Sequence, residues 1–371
     1  MPSRMAQWGN DLYTGRRSYD IVGKRNRWFA ISAAVVLASV ALLLTVGLNL
    51  GIAFRGGSEF TVPGASTTAE QPAVDAVAEL GAQPPRVSVV GTDTIRVQTS
   101  QLTDAETSEL ADLLADAYGT DPAEIGSSFV GATWGADVTS KALRALVIFL
   151  VLVSLVLTVY FRDWRMAVSG IVALLHDVAI TVGVYAAVGW EVTPATVIGF
   201  LTILGYSLYD TVVVFDKVRE NVDGVLKQKR YTYGEMANLA VNQTLVRSLN
   251  TSVVAVLPVG SILFIGAFLL GAGTLRDIAL ALFIGIVVGT FSSVWIATPL
   301  LVWLRDREPA LREHNARVLA ARAAARAKGE DVDAPGEPER VRVGSLQPGE
   351  HLGNRAQPRR KNPNRPAGRR S

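Results

Sequence analysis

The stretch GYSLYDTVVVFDKVREN, residues 205–221, places a carboxyl group, Asp210, inside an apolar run. Tyr206 and Ser207 precede it by four and three residues, so the helical repeat predicts one shared face. A charged carboxyl at the middle of a membrane-spanning helix costs about 2.5–3.5 kcal/mol, and such a residue is retained where something offsets that cost. The chemistry that this arrangement suggests is reversible protonation of Asp210.

Arg247 offers a cationic partner for Asp210. It opens the polar stretch RSLNTS, which leads into a later apolar run and contains Thr251. An arginine nearby favours the ionised carboxyl, whereas apolar burial favours the neutral one. We therefore predict an Asp210–Arg247 pair that separates and re-forms as helices shift. A static pair that holds two helices together is the alternative.

A second ionisable pair, His176 and Asp177, lies near the middle of another apolar run. Adjacent residues point about 100° apart on a helix, so one could join a proton path while the other bonds a neighbouring helix. Helix packing explains such a polar pair equally well. Gly285 and Gly289, followed by Ser292 or Ser293, form a row of small residues that predicts close contact between helices near this relay.

Six apolar runs must position these residues. Hydrophobic residues make up 49% of the 371-residue chain, and each run is long enough for a bilayer that needs about 20 residues. The sequence therefore predicts a polytopic helical membrane protein. The predicted spans are residues 28–50, 142–161, 166–189, 192–215, 251–271 and 278–304.

Charge predicts the orientation of the spans. Lys and Arg are frequent in residues 1–27, in the loop 216–247 and in the tail 305–371, whereas residues 55–140 hold three Arg against thirteen Asp and Glu. By the positive-inside rule, both termini are cytoplasmic and the segment 54–140 is extracytoplasmic. The first span lacks a cleavage pattern and is expected to remain as an anchor.

The segment 54–140 has the pattern of a small α+β domain. Strand alternation and helical spacing follow one another in the order β-α-β-β-α-β, which is typical of ferredoxin-like folds. Thr103 and Glu106 form a predicted capping box. The predicted elements are strand 58–62, helix 67–80, the hairpin strands RVSVV and TIRVQT, helix 103–118 and a last strand near 127–131.

Two further cytoplasmic segments carry helical patterns. Within the loop 216–247, residues 232–239 are interpreted as an amphipathic helix on the membrane surface. Arg and Ala repeat helically to about Ala327, and the Pro, Gly and charged residues that follow predict disorder up to Ser371. The basic clusters PRRK and GRR of this tail could contact membrane lipids with anionic headgroups or ribosomal RNA, but a solvated tail without a specific nucleic-acid site is the simpler interpretation.

The sequence lacks the motifs of several other chemistries. It contains no phosphate-binding P-loop, no HExxH and no GxSxG motif, and it has no Cys. Its three His residues are dispersed: His176, His314 and His351. We therefore expect no metal site, no cofactor and no enzymatic activity.

Several motifs together resemble the SecF branch of the SecD/SecF family, protein-export membrane proteins related to the RND transporters. The motif at Asp210 is joined by NRWFAIS, FRGGSEF, VGATWGADV, LLHDVAITVG and LVRSLNTS, so the likeness extends to about Asp306. One departure is Ala53, where the family usually has Asp before Phe-x-Gly-Gly. Gly56 and Gly57 retain the tight turn into the domain.

The resemblance implies a six-helix, RND-like half that pairs with SecD in the bacterial cytoplasmic membrane. It also implies that the complex assists the SecYEG channel by using the proton motive force to draw preproteins outward, with Asp210 and Arg247 at the family's relay positions. Two alternatives stay open. One is half of an RND-type exporter of lipids or small molecules, and the other is a structural translocon subunit that moves no protons.

Overall fold

The computed structural model describes residues 4–269 and 273–328. Within these residues, six helices are long and apolar enough to cross a membrane, as predicted. They are α2 (Arg25–Thr45), α6 (Ala132–Phe161), α7 (Trp164–Val188), α8 (Pro194–Val222), α9 (Tyr233–Ser261), which continues into the π-helix Ile262–Leu269, and α10 (Gly273–Ser292), which continues through the π-helix Ser293–Ala297 into α11 (Thr298–Arg305).

The segment between the first two spans forms the predicted α+β domain. Its strands pair antiparallel in the spatial order β3-β4-β2-β5, and helices α4 and α5 cover one face, which confirms the ferredoxin-like arrangement. Thr103 and Glu106 form the capping box at the start of α5. The elements are β2 (Gly57–Val62), α4 (Gln71–Glu79), β3 (Arg86–Val90), β4 (Thr94–Thr99), α5 (Asp104–Tyr118), a 3-10 turn (Pro122–Glu124) and β5 (Gly126–Val130).

A short link joins this domain to the bundle. After α2 come β1 (Asn49–Leu50) and the one-turn helix α3 (Ile52–Arg55), so the first span ends earlier than predicted. Strand β1 pairs in parallel with β6 (Glu191–Val192), which precedes α8. Gly57 has a φ of 136°, and a Cβ there would lie 2.4 Å from the Thr99 carbonyl oxygen, so the turn requires glycine.

Polar contacts fasten the domain to the bundle beside this link. Gln98 Nε2 donates to Glu59 Oε2 at 2.8 Å and to Glu191 Oε1 at 2.7 Å. The Arg96 guanidinium lies 3.5 Å from Glu191 and 3.8 Å from Glu59. Glu191 therefore connects the domain's sheet to the residues that lead into the fourth span.

The fifth span extends further than the sequence predicted. Residues 232–239 belong to α9 and not to a separate surface helix, so that interpretation was wrong. Thr232 caps the helix with Glu235 in a capping box, and Ala237 and Val241 are buried. Their burial against the bundle supplies a tertiary stabilisation that a surface helix lacks.

The side opposite the domain carries the remaining helices, α1 (Arg4–Tyr13) and α12 (Pro309–Ala327), and a 3-10 turn (Val225–Lys227). Ion pairs tie its segments together, among them Arg25–Asp306, Arg305–Asp163, Arg165–Glu308 and Arg322–Glu235. Helix α12 ends at Ala327, as the Arg/Ala repeat predicted. The disorder predicted for the rest of the tail concerns residues outside the described ranges.

Candidate functional site

Asp177 lies at the centre of the bundle on α7 and is fully buried. Its Oδ1 is 3.0 Å from Nδ1 of His176. Its Oδ2 accepts hydrogen bonds from Ser207 Oγ on α8 at 2.5 Å and from Ser292 Oγ on α10 at 2.8 Å. The two members of the predicted pair thus contact each other, and the aspartate joins three spans.

Asp210 lies on α8, three residues beyond Ser207 and therefore about 4.5 Å further along the helix, away from the domain. It is 8% exposed. Ser248 Oγ on α9 donates to its Oδ1 at 2.6 Å, and Ser293 Oγ donates to its Oδ2 at 2.6 Å. Hydroxyl groups from two other spans therefore hold both carboxylate oxygens.

Two consecutive serines of the sixth span donate hydrogen bonds to the two carboxyl groups. Ser292 ends α10 and bonds Asp177, and Ser293 begins the π-helix and bonds Asp210. A π-helical turn changes the rotation of the residues that follow it, and such turns are frequent at functional sites. The four serines and two aspartates form one buried polar cluster, which we call the carboxyl–serine cluster: Asp177, Ser207, Asp210, Ser248, Ser292 and Ser293.

The predicted contact between Asp210 and Arg247 is absent from the described part of the chain. Arg247 is exposed, and its Nη2 donates to the Tyr209 hydroxyl at 3.3 Å. Adjacent residues on a helix point about 100° apart. Because Ser248 is the residue of α9 that faces Asp210, Arg247 points to the outside of the bundle. The predicted direct pair is therefore not formed in this conformation, and its formation in another one stays a prediction.

The predicted polar face of α8 is divided in the structure. Ser207 and Asp210 point inward, whereas Tyr206 is 43% exposed. Thr251 donates to the backbone oxygen of Arg247 on its own helix. Tyr206 and Thr251 nevertheless border a small hollow beside Asp210, which opens at the surface of the bundle.

Glycines of α10 allow the close approach that the cluster requires. A Cβ at Gly285 would lie 2.3 Å from Ile203 Cδ1, and one at Gly289 would lie 2.9 Å from Ser207 Cβ. Real Cβ contacts are not that short. The row of small residues is therefore used for helix packing, as predicted, and it also brings Ser292 within reach of Asp177.

The cluster is chemically suited to hold a proton without a fixed counter-ion. A serine hydroxyl donates to a carboxylate and can instead accept from a carboxylic acid, so both protonation states of Asp210 can be satisfied. Nε2 of His176 is buried and has no hydrogen-bond partner among the described residues. The described residues contain no group of three His, Cys, Asp or Glu side chains able to hold a metal ion.

Sequence reasoning found the acids and missed their hydrogen-bond partners. Ser248 stood in the polar stretch RSLNTS but was passed over for its charged neighbour, and Ser293 was assigned to helix packing. For Ser248, the signal is its position in the helical repeat. It follows Thr244 and Leu245 by four and three residues, and all three side chains are buried on one face of α9.

Comparisons with known proteins agree on one family. The family model for the protein export membrane protein SecD/SecF, C-terminal, matches residues 109–307. The protein translocase subunit SecF of Mycobacterium tuberculosis H37Rv is 47% identical over 321 residues, which are 84% of this chain and 72% of that one. SecF of Streptomyces coelicolor is 43% identical over 331 residues, 89% of this chain and 88% of that one.

The chain belongs to the SecD/SecF family. Within this family it is of the SecF type, a subunit of the protein translocase. Its fold resembles the crystal structure of SecDF from Thermus thermophilus, a translocon-associated membrane protein, with a TM-score of 0.69 at 31% identity. The match covers 79% of this chain and 39% of the SecDF chain, so this protein spans about two fifths of that longer SecD/SecF relative.

Proposed function

We propose that this SecF-type subunit couples the proton motive force to preprotein transport, with Asp210 as the group that changes its protonation state. The observation that supports the proposal is the setting of its carboxyl group. Asp210 is buried in the fourth span and is held by Ser248 and Ser293, with no cation bonded to it in the described chain. A proton that binds or leaves therefore changes the charge inside the bundle.

Asp177 and His176 provide the entry side of the proposed relay. Asp177 bonds Ser207, which precedes Asp210 by about one helical turn on the domain side. Ser292 and Ser293 are consecutive and bond one aspartate each. Protons would pass from the His176–Asp177 pair towards Asp210 through the serine hydroxyls, which both donate and accept hydrogen bonds.

Arg247 belongs to the proposed relay as a cation on the surface beside it. Arg247, Tyr206 and Tyr209 are exposed on a membrane-spanning surface. Charged side chains in spans generally face protein or a water-filled cavity, because lipid solvates them poorly. This exposed polar face supports a second six-helix half that covers it, and the similarity to SecDF proteins supports SecD as the partner that we propose.

The same proposal places the subunit in the bacterial cytoplasmic membrane with both termini inside, beside the SecYEG channel. The excess of Lys and Arg on the terminal side supports this orientation. The small α+β domain then lies outside, where a translocating chain emerges.

Export measured in vesicles, with and without a proton gradient, tests the proposal. We expect Asp210→Asn in an otherwise intact complex to abolish the stimulation of export by the gradient, because an amide cannot take up the proton. Asp216→Asn is the matched control, since Asp216 is exposed on the same helix and bonds Tyr160. Full stimulation in Asp210→Asn would support the purely structural role instead.

A further inference from the structure

The charge of the α+β domain is divided between its two faces. Residues 55–140 hold thirteen acidic residues, and ten of them lie in α4, α5 and the adjoining turns, on the helical layer. The only three basic residues of this segment are Arg55, Arg86 and Arg96. Val87, Ile95 and Val97 pack into the core under the helices, so Arg86 and Arg96 point from the opposite face of the sheet.

Two of these arginines border a pocket of about 290 Å³. Its other walls combine hydrogen-bonding groups with two apolar side chains that come directly after the first span, Leu50 and Ile52. The polar lining is contributed by Gly56, Gly57, Gln83, Gln98, Thr99, Ser100 and Gln101.

The two guanidinium groups in this pocket differ from that of Arg96 in their surroundings. Arg96 lies close to Glu59 and Glu191, whereas neither Arg55 nor Arg86 forms an ion pair within 4 Å in the described part of the chain. Burial and the charge of Arg55 lower the pKa of Arg86, and the charge of Glu191 opposes them. The pocket thus concentrates positive charge that no ion pair within 4 Å neutralises among the described residues.

The pocket lies at the membrane surface on the domain side. Leu50 follows the end of α2 by five residues and pairs with Val192, two residues before α8 begins. Two aromatic side chains near the start of the second span are exposed: Phe129 on β5, 54% exposed, and Trp134 on α6, 61% exposed. Aromatic side chains at the ends of spans are typical of the interface with lipid headgroups.

We propose that this pocket binds the phosphate of an anionic phospholipid in the leaflet on the domain side. Arg55 and Arg86 would contact the phosphate oxygens, since planar guanidinium groups bind phosphate through paired hydrogen bonds. Leu50 and Ile52 would contact the apolar part of the lipid. The acidic helical layer is repelled by the same membrane, so the bound headgroup holds the domain with its arginine face towards the bilayer.

This inference does not depend on proton coupling, and lipid binding to the purified full-length chain tests it. The chain in detergent is titrated with phosphatidylglycerol, phosphatidylcholine or inorganic phosphate, and bound ligand is measured by native mass spectrometry. We expect wild type to prefer phosphatidylglycerol. The double variant Arg55→Gln/Arg86→Gln should bind it about 30-fold more weakly, from the usual contribution of two basic residues at an anionic surface.

The control variant Lys227→Gln/Lys229→Gln removes two exposed charges from the opposite side and should bind as wild type does. Arg86→Gln alone, expected to bind about fivefold more weakly, replaces the double variant if the latter does not fold. Equal binding of phosphatidylcholine, unchanged binding in the arginine variants, or inorganic phosphate that binds as tightly as the lipid would each overturn the proposal.

Discussion

At the scale of single residues, the two buried acids of the carboxyl–serine cluster are held by serine hydroxyls. Asp177 and Asp210 each accept two of them, from Ser207 and Ser292 and from Ser248 and Ser293. Interhelical hydrogen bonds in membranes contribute about 0.6 kcal/mol on average and up to about 1.7 kcal/mol. The cluster is therefore a modest stabiliser, and a change in the charge of one carboxyl is large enough to rearrange it.

Replacement of one serine tests this reading. Ser293→Ala should lower the free energy of unfolding by about 1 kcal/mol, because Asp210 loses one of its two hydrogen bonds. Thermal unfolding in detergent measures the effect. Ser261→Ala is the control, since that hydroxyl lies on an exposed residue and donates to Leu257 of its own helix. Equal stability of the two variants would argue against the cluster.

At the scale of elements, the contact between α8 and α10 sets the geometry of the cluster. Gly289→Ala should destabilise the protein by about 1–3 kcal/mol, because the new methyl group would lie 2.9 Å from Ser207 Cβ. Gly205→Ala on α8 is a matched control, with no atom within 4 Å of the added Cβ. We expect that control to be neutral or slightly stabilising, since Ala is the better helix former. Equal loss of stability in both would show that packing is not the cause.

The polar contacts of Glu191 join the α+β domain to the helical bundle. Glu191→Ala removes the acceptor of Gln98 and the near neighbour of Arg96. We expect faster hydrogen exchange in the strand residues 57–62 and 94–99, because the sheet loses its polar contact with the loop before α8. Glu109→Ala, an exposed acid on α5, is the control. Unchanged exchange in Glu191→Ala would mean that the β1–β6 pairing alone holds the domain.

The local stability of helix α5 is expected to depend on pH through Glu106. Hydrogen bonds from the Thr103 backbone and side chain lower the pKa of Glu106. A carboxyl whose pKa is lower in the folded state adds stability above its unfolded pKa and loses it as the pH falls through the folded pKa. The protection of the amides at the start of α5 against hydrogen exchange, corrected for the intrinsic pH dependence of the exchange rate, should therefore fall on acidification below about pH 4.5. Glu106→Gln should remove that dependence, and a Glu106→Gln profile identical to wild type would contradict it.

At the scale of the whole molecule, the chain presents a polar face that one six-helix half leaves uncovered. The sequence has no Cys, so single cysteines can be introduced without background. Thr202→Cys, exposed on the face that carries Tyr206, should form crosslinks to co-expressed SecD through a short bifunctional reagent. Val156→Cys, 60% exposed on the second span, should not. Crosslinking at Val156 in place of Thr202 would put the partner on another face.

The sequence was sufficient for the features that depend on local patterns. Hydropathy located six spans, strand alternation and the Thr103 capping box gave the β-α-β-β-α-β order, and a carboxyl in an apolar run singled out Asp210. It could not supply the rotation of one helix against another. That rotation decided between Arg247 and Ser248 as the neighbour of Asp210, and it depends on burial across the whole bundle. Helix α9 begins earlier than the sequence predicted, because tertiary burial of Ala237 and Val241 stabilises a helix in a segment with the composition of a polar loop.

The central claim is that the charge on Asp210 changes during the working cycle. Infrared difference spectra of the complex in vesicles, recorded with and without a proton gradient during export, detect a change in the carbonyl band of a carboxyl group directly. We predict a difference band in wild type that is missing in Asp210→Asn, while Asp216→Asn retains it. A wild-type difference spectrum without any band assignable to Asp210 would mean that its protonation state does not change, and it would contradict the proton-coupled account.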